Sequence, residues 1–248
     1  MKWPDAPLVL GVFLERLHRF GARVKVRGRV EYCHVTNSGR LRELLRPGAT
    51  VALVDHRSKG KALGTGPPRK TRYSIRLARY RGKWVCIEAN VAPKLVREAW
   101  EKGKLAGLGA YGRLRSEVPL DRHTRFDLQA RDPRTGRVLW VEVKCVTLVD
   151  QEGRGFFPDA PSERASKHLR ELMALRRKPR TGSLVFFVLQ NPLGLSVSPK
   201  EDTDPVFAHT LRKTKRAGVE IRVLRTRIGL KGAEVTGPGE LRLGRKGL

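Results

Sequence analysis

Two charged side chains interrupt an apolar stretch in the second half of the chain. Glu142 and Lys144 are the only charged residues between Val138 and Leu148. Because the side chains of a strand alternate between its two faces, residues two apart lie on the same face. Charges on a buried strand are tolerated only when they are paired, bound to a metal or exposed in a cleft. The spacing therefore predicts a functional cleft or a local ion pair.

A second carboxylate, Asp127, is predicted to lie opposite Glu142. Turn-forming residues separate two strand-like segments, and a hairpin folded between Arg134 and Thr135 pairs position 127 with position 142. Directly opposed side chains in such a pair have their Cβ atoms about 4.5–5.5 Å apart. A register slip of one residue would place the two acids on opposite faces.

The pairing of Asp127 with Glu142 suggests a metal-dependent site. Two adjacent carboxylates repel each other, and their hard oxygen atoms suit Mg²⁺ or Mn²⁺. Such an ion can activate water and stabilise the charge that develops in a phosphodiester displacement. Lys144 would orient the water or neutralise the phosphate. The alternative is an ion pair of Lys144 with either carboxylate and no catalysis. Glu117 is a further candidate metal ligand, with a surface glutamate as the simpler interpretation.

Two further groups of polar residues are candidate nucleic-acid contacts. Arg164, Lys167, His168 and Glu171 recur at helical spacing, and we expect them opposite the apolar face of a helix. A solvated helix face explains this stripe at least as well. The second group is His34, Asn37 and Arg40, where Asn37 suits a tight turn and Arg40 could meet a phosphate. A purely structural turn is the alternative.

The charge of the chain favours a nucleic-acid partner. Its 248 residues contain 52 Lys and Arg against 24 Asp and Glu, which gives a net charge of +28. A phosphate backbone would neutralise this excess. We expect no membrane partner, because no apolar stretch reaches the roughly 20 residues of a spanning helix. Aromatic residues make up only 6% of the chain, so phosphate contacts should dominate over base stacking.

The three cysteines favour a cytoplasmic protein. Cys33, Cys86 and Cys145 are odd in number, widely spaced and set in apolar segments, which predicts reduced core thiols rather than disulfides. No Cys/His cluster indicates structural zinc.

Short strands dominate the first ninety residues and predict a small β-barrel. The expected strands are Leu8–Leu17, Ala22–Val26, Arg29–Val35, Thr50–Asp55, Tyr73–Ala78 and Trp84–Glu88. The Gly-, Lys- and Pro-rich segment Ser58–Thr71 is predicted to be a mobile basic loop. A helix can begin at Pro93, so we place a domain boundary before it and expect domains at 1–90 and 91–248.

The second half predicts a mixed sheet flanked by helices, and hence a mixed α/β protein. Expected strands are Arg113–Leu120, Arg125–Ala130, Val138–Leu148, Ser183–Leu189 and a last strand Val219–Arg225. One helix should follow Ser162 as its N-cap, and another should begin after Asp204 and end near Gly218.

These motifs resemble the sugar fermentation stimulation protein family along nearly the whole chain. The matching segments are Phe13-Leu14-x-Arg16 with Arg19-Phe20, His34 to Gly48, Arg125-Phe126-Asp127, Val141-Glu142-Val143-Lys144-x-Val146-Thr147-Leu148, Phe157-Pro158-Asp159-Ala160, Glu163-Arg164 with Lys167-His168-Leu169, and Asp204-Pro205-x-Phe207. Thr124 and Ala165 depart from the family pattern, which commonly has Ser and Gly at these positions.

The resemblance implies an N-terminal OB-like barrel and a C-terminal domain similar to the PD-(D/E)xK nucleases. It implies that Asp127 and Glu142 are the metal-binding acids and Lys144 the catalytic lysine, and it places Arg125 beside the site as a nucleic-acid contact. Members of the family are described as DNA-binding, with a suggested regulatory link to sugar metabolism.

We therefore expect a DNA-binding protein with a Mg²⁺- or Mn²⁺-dependent nuclease site. One alternative is a non-catalytic DNA-binding regulator of sugar metabolism on the same scaffold. Another is an RNA-processing or ribosome-associated protein, which would share the charge and the barrel. The sequence leaves the oligomeric state open, with a homodimer among the possibilities.

Overall fold

The computed structural model describes residues 1–3, 7–57 and 71–244 and forms two compact units. The first unit contains Met1–Ala89 and Ile228–Ala233, and the second contains Asn90–Arg227 and Glu234–Leu248. The sequence did not predict that Ile228–Ala233 belongs to the first unit. The predicted basic loop, apart from Thr71, lies outside the described residues.

The first unit is a closed β-barrel, as predicted. Its strands are β1 (Val9–His18), β2 (Gly21–Val26), β3 (Arg29–Val35), β4 (Thr50–Asp55), β5 (Tyr73–Tyr80) and β6 (Lys83–Cys86). The hydrogen-bonded order is β3-β2-β1-β4-β5-β6, and β3 also pairs in parallel with β5. This additional pairing closes five strands into the barrel and leaves β6 attached to β5.

Alternation along the strands fills the barrel and leaves a polar exterior. In β2, Ala22, Val24 and Val26 are buried, whereas Arg23 and Lys25 point to solvent. The turn from β2 to β3 uses Arg27 and Gly28, both with positive φ, as a tight hairpin with matching twist requires.

The second unit is a nine-stranded mixed sheet with three helices, which confirms the mixed α/β class. In chain order its elements are α1 (Val91–Glu101), β7 (Arg115–Pro119), β8 (Arg125–Arg131), β9 (Val138–Val146), β10 (Leu148–Val149), β11 (Arg154–Phe157), α2 (Glu163–Arg176), β12 (Thr181–Leu189), β13 (Ser196–Pro199), α3 (Pro205–Arg216), β14 (Glu220–Gly229) and β15 (Gly232–Leu241). The strand order is β10-β11-β13-β15-β14-β12-β9-β8-β7. Strand β12 runs parallel to both β9 and β14.

Four strands of this sheet were not predicted, and the expectation that Val219–Arg225 is the last strand is wrong. β14 continues to Gly229, and β15 follows it. β15 contains two glycines and a proline after its first residue, which weaken the strand signal. β10, β11 and β13 have only two to four residues each, so no alternation can develop.

Both predicted N-caps of the second unit are confirmed. The Ser162 hydroxyl accepts a hydrogen bond from Ala165 N at the start of α2. The Asp204 carboxylate accepts one from Phe207 N at the start of α3. Each cap satisfies a backbone donor that the helix itself cannot satisfy.

The cysteines agree with the prediction of core thiols. All three are thiols, and Cys33 and Cys86 are buried. Burial raises the pKa of both of these thiols to about 12. No helix of the described residues is long and apolar enough to span a membrane.

Candidate active site and nucleic-acid interface

The β8–β9 hairpin has the predicted register and brings Asp127 next to β9. Leu128 pairs with Val141, and Arg131 pairs with Val138. The next step of this register is position 127 against 142, where the carboxylate of Asp127 accepts a hydrogen bond from Val143 N at 2.7 Å. The side chain of Asp127 is therefore held beside Glu142 by the backbone of the neighbouring strand.

Glu142 is the centre of a buried group of charges. It is only 4% exposed, and its Oε1 lies 2.5 Å from Lys144 Nζ. His168 Nδ1 lies 2.7 Å from the same oxygen and donates to it. The other oxygen, Oε2, is buried and hydrogen bonds to no group among the described residues. We call Asp127, Glu142, Lys144 and His168 the acid cluster.

His168 does not lie where the sequence analysis placed it. The prediction of a position opposite the apolar face is wrong, because His168 is 3% exposed and its ring packs 5.5 Å from that of Phe126. This burial also leaves little surface for a direct contact with nucleic acid. The signal was present in the sequence, since 168 lies three residues after Ala165 and four before Leu172, two residues of the buried face.

Glu171 also turns away from the expected outer stripe. Its Oε1 accepts a hydrogen bond from the Thr124 hydroxyl at 2.7 Å and lies 3.6 Å from Lys167 Nζ. Thr124 thereby links α2 to the residue before β8, through a hydroxyl that serine would also carry. Arg125, Arg164 and Lys167 are exposed, and their contact with nucleic acid stays a prediction.

The two carboxyl groups of the acid cluster have opposite pKa shifts. Burial, reinforced by the charge of Glu142, raises the pKa of Asp127 to about 7. Burial alone would also raise the pKa of Glu142, but Lys144 and His168 outweigh it and hold that pKa below its usual value. Two neighbouring acids in different environments thus favour one proton on Asp127 and a charge on Glu142.

Glu117 does not complete a three-ligand site in this structure. It is exposed, and the pairs Ser116–Leu128 and Val118–Phe126 flank it, so the register places it across from Asp127. Its φ of 53° is unusual for a residue other than glycine. Among the described residues, no three His, Cys, Asp or Glu side chains are grouped to hold a metal ion. A role for Glu117 as a ligand stays a prediction.

The polar segment after β3 forms a structural turn built around Asn37. The Asn37 side chain accepts from Gly39 N and donates to the carbonyl of Ile87, so its amide is committed to the fold. The Arg16 guanidinium donates to the carbonyls of Asn37 and Arg40. The His34 ring bonds to the carbonyl of Phe20 at 3.1 Å. The structural alternative therefore accounts for Asn37, whereas Arg40 has an exposed side chain.

The outer face of β1–β3 presents aromatic and basic side chains together. Phe20 and Tyr32 are 44% and 45% exposed, and the Phe20 ring stacks on that of His34. Tyr32 pairs across the strands with Arg23. The amino-acid composition did not predict this combination, because a low aromatic content does not show whether the few aromatic residues share one exposed surface. We call Phe20, Arg23, Tyr32 and His34 the barrel face.

Two family models cover the two units of the structure. One, described as "Sugar fermentation stimulation protein RE domain", matches residues 90–232, and the other, "SfsA N-terminal OB domain", matches residues 14–87. The chain belongs to the sugar fermentation stimulation protein family. The closed five-stranded barrel is its OB domain.

Relatives within the family match most of the chain. A sugar fermentation stimulation protein homolog of Geobacter sulfurreducens is 40% identical over 215 residues, which cover 86% of this chain and 87% of the relative. The homolog of Methanobrevibacter smithii is 36% identical over 235 residues, which cover 92% of this chain and 94% of the relative. The structure of Pyrococcus furiosus SfsA in complex with Ca²⁺ is similar with a TM-score of 0.83 and 27% identity, covering 98% of this chain and 99% of that one.

Proposed function

We propose that this member of the sugar fermentation stimulation protein family binds nucleic acid, with DNA favoured over RNA, and hydrolyses phosphodiester bonds with Mg²⁺ or Mn²⁺. The observation that carries the proposal is the buried Glu142 Oε2, which has no hydrogen-bond partner beside a second carboxylate. A buried, unpaired carboxylate oxygen is costly unless a ligand or cation satisfies it. The arrangement resembles the two acids and lysine of the PD-(D/E)xK nucleases.

The donor set of the acid cluster fits a hard divalent cation. Asp127 and Glu142 would hold it through carboxylate oxygens, and Mg²⁺ usually completes its coordination with water. The structure of the Pyrococcus furiosus relative in complex with Ca²⁺ supports a divalent-cation site in the family. A bound Mg²⁺ or Mn²⁺ would supply an activated water and stabilise negative charge on a phosphate.

The protein groups of the acid cluster orient one another. Lys144 and His168 both bond to Glu142 Oε1, so the position of this carboxylate is fixed while Oε2 stays available. The backbone of Val143 does the same for Asp127. The Lys144 ammonium would neutralise a phosphate that reaches the cluster. These supports reduce the reorganisation needed when substrate binds.

The nucleic-acid part of the proposal is supported by charge and by the barrel face. A net charge of +28 attracts any polyanion. Exposed aromatic rings such as Phe20 and Tyr32 offer stacking surfaces to unpaired bases, and Arg23 lies beside them. OB domains commonly bind single strands in this way.

A cleavage assay tests the catalytic part of the proposal. The full-length protein is incubated with supercoiled and linear DNA, and separately with RNA, in Mg²⁺, Mn²⁺, Ca²⁺ or chelator. We expect cleavage in Mg²⁺ or Mn²⁺ that is lost in Asp127→Asn and in Glu142→Gln, with DNA affinity retained. The matched controls Asp202→Asn and Glu240→Gln change exposed acids outside the cluster and should cleave normally. Cleavage that survives in an Asp127→Asn, Glu142→Gln double variant would remove these residues from the reaction.

A second candidate function is a DNA-binding regulator without turnover. The observation that favours it is the ion pair of Lys144 with Glu142, which satisfies both charges without a substrate. This candidate predicts salt-sensitive DNA binding and no cleavage in any metal. Calorimetric titration with Mn²⁺ also separates the two candidates. A nuclease should bind Mn²⁺ and lose this binding in the Glu142→Gln variant, whereas a regulator does not need a Mn²⁺ site at Glu142.

A further inference from the structure

A cavity with charged side chains in its lining lies at the turn of the β8–β9 hairpin, at the end remote from the acid cluster. It has a volume of about 730 Å³, and three arginines line it: Arg134 and Arg137 from the turn and Arg180 from the segment before β12. Tyr111 and Asp132 also line it. We call Tyr111, Arg134, Arg137 and Arg180 the turn cleft. Its size lies in the range of cavities that hold small ligands, about 300–1,000 Å³.

The three arginines of the turn cleft differ from many others on the second unit. Within the described part of the chain, none of the three forms a side-chain hydrogen bond or an ion pair with a carboxylate. Elsewhere, Arg222 lies 2.6 Å from Glu220 and Arg242 lies 2.7 Å from Glu240. Three guanidinium groups around one cavity repel each other, and an anion would relieve this repulsion.

Asp132 offsets only one of the three arginine charges of the turn cleft, and its carboxylate is committed to the hairpin turn. It accepts hydrogen bonds from the Thr135 hydroxyl at 2.6 Å and from Arg134 N at 2.9 Å. These hydrogen bonds hold the pKa of Asp132 below its usual value, so it stays charged and bonded. Three arginines against one aspartate leave a net charge of +2 in the cavity.

The backbone fixes the two segments that supply the arginines. Val138 N donates to the carbonyl of Arg180 at 2.9 Å, which ties the start of β9 to the residue before β12. Arg180 has a φ of 53°, a left-handed conformation that is strained for a residue other than glycine. Glycine adopts this conformation freely, so Arg180 carries its side chain at a position where the backbone is strained.

We propose that the turn cleft binds phosphate groups of a nucleic-acid backbone at a distance from the acid cluster. Arginine forks bind phosphate oxygens with two parallel hydrogen bonds, and the Tyr111 hydroxyl adds a donor. Asp127 lies in β8 and Asp132 directly follows its last residue, so the two are five residues apart, about 17 Å at roughly 3.4 Å per residue. A polymer with a phosphate every ~3.4 Å along each strand can occupy both places at once, whereas a single anion cannot. The identity of the partner rests on the proposed function.

The test compares two triple variants of the full-length protein with the same net charge. The cleft variant is Arg134→Ala, Arg137→Ala, Arg180→Gly, in which glycine suits the left-handed backbone. The control is Arg154→Ala, Arg227→Ala, Arg242→Ala, which removes three exposed arginines that pair with carboxylates. Binding of a short DNA duplex and of a single strand is measured by fluorescence anisotropy at several salt concentrations. If the cleft variant does not fold, Arg134→Ala with Arg137→Ala against Arg227→Ala with Arg242→Ala gives the same comparison.

We expect the cleft variant to bind duplex DNA at least roughly tenfold more weakly than the control at low salt, with a log–log salt slope smaller by about 2–3. Equal affinities and slopes in the two variants would overturn the proposal. Calorimetry with inorganic phosphate separates the two possible sources of the anion. Phosphate binding that only the cleft variant loses, together with equal DNA affinities, would assign the cleft to free phosphate and also overturn the proposal.

The outcome is separable from that of the cleavage assay. Loss of DNA affinity in the cleft variant supports the turn cleft even if the wild-type protein cleaves nothing in any metal. The opposite result is also informative. If the protein cleaves DNA in a metal-dependent way but the cleft substitutions do not change its DNA affinity, the proposed role of the acid cluster is supported and that of the turn cleft is overturned.

Discussion

The acid cluster and the turn cleft lie at the two ends of the β8–β9 hairpin and differ in whether their charged side chains are buried and paired. In the cluster, Glu142 and Lys144 are buried and each has a partner of opposite charge. In the cleft, Arg134, Arg137 and Arg180 are exposed, and no carboxylate among the described residues pairs with them. A buried charge must be paired because leaving it unpaired away from water costs free energy. An exposed charge is solvated by water and can therefore stay unpaired until a ligand binds.

This difference predicts where each substitution has its effect. A change in the acid cluster should alter the free energy of unfolding even without metal or DNA. A change in the turn cleft should alter the affinity for DNA and leave folding almost untouched.

The largest loss of stability is expected for Glu142→Ala. It leaves Lys144 and His168 buried without their shared acceptor, and breaking a buried pair in this way costs about 3–5 kcal/mol. Chemical denaturation without metal measures this change. Glu240→Ala is the matched control, because its exposed pair with Arg242 should contribute about 1 kcal/mol or less. Equal losses in the two variants would mean that the buried pair stabilises the fold no more than a surface pair does.

Asp127→Asn should stabilise the metal-free protein in a pH-dependent way. With a folded-state pKa of about 7, raised from 3.8, the carboxyl group stabilises the fold at low pH and loses this contribution as pH rises through about 7. Asparagine mimics the protonated acid and can still accept from Val143 N. The free energy of unfolding of the variant relative to wild type should therefore increase by on the order of 2 kcal/mol as the pH rises from about 5 to about 8. Denaturation curves at both pH values measure it, and a gain of stability confined to the lower pH would contradict the shift.

Thr124→Val should cost about 1 kcal/mol or slightly more. The substitution keeps the shape of the side chain but removes the donor to Glu171 Oε1, whose other oxygen is already buried without a hydrogen-bond partner. Thr124→Ser retains the hydroxyl, so it should keep most of the stability of the wild-type protein. Thermal unfolding of the two variants decides whether the hydroxyl or the methyl group matters.

The sequence predicted the centre of the acid cluster because strand alternation and hairpin symmetry are short-range rules. Glu142 and Lys144 share a face because they are two residues apart, and the turn at Arg134 and Thr135 fixes which residue meets Asp127. The individual barrel strands were predicted from the same alternation, whereas the pairings of β1 with β4 and of β3 with β5 join segments that are distant in sequence. Such rules need no knowledge of the rest of the molecule.

The features that the sequence did not predict depend on contacts between segments that are distant in sequence. His168 fits both a polar stripe and the buried face of α2, and only the presence of Glu142 across from it decides between them. The short strands β10, β11 and β13 exist because neighbours in the sheet supply their hydrogen bonds. The turn cleft likewise joins Arg137 to Arg180, which are far apart in sequence, so no local pattern shows it.

The smallest change in stability is expected for the cleft arginines. Arg134→Ala with Arg137→Ala removes two exposed side chains that have no carboxylate partner among the described residues, so the free energy of unfolding should change by less than about 0.5 kcal/mol. A small gain is consistent with relief of repulsion between like charges. DNA at one fixed concentration should then stabilise the wild-type protein more than this variant, because a ligand that binds the folded state more tightly stabilises it more. Unfolding of the wild-type protein and of the variant, each measured with and without DNA, gives both the change in stability and the stabilisation by DNA. A large loss of stability without DNA would show that these arginines belong to the fold, as the charges of the acid cluster do, and the contrast between the two ends of the hairpin would disappear.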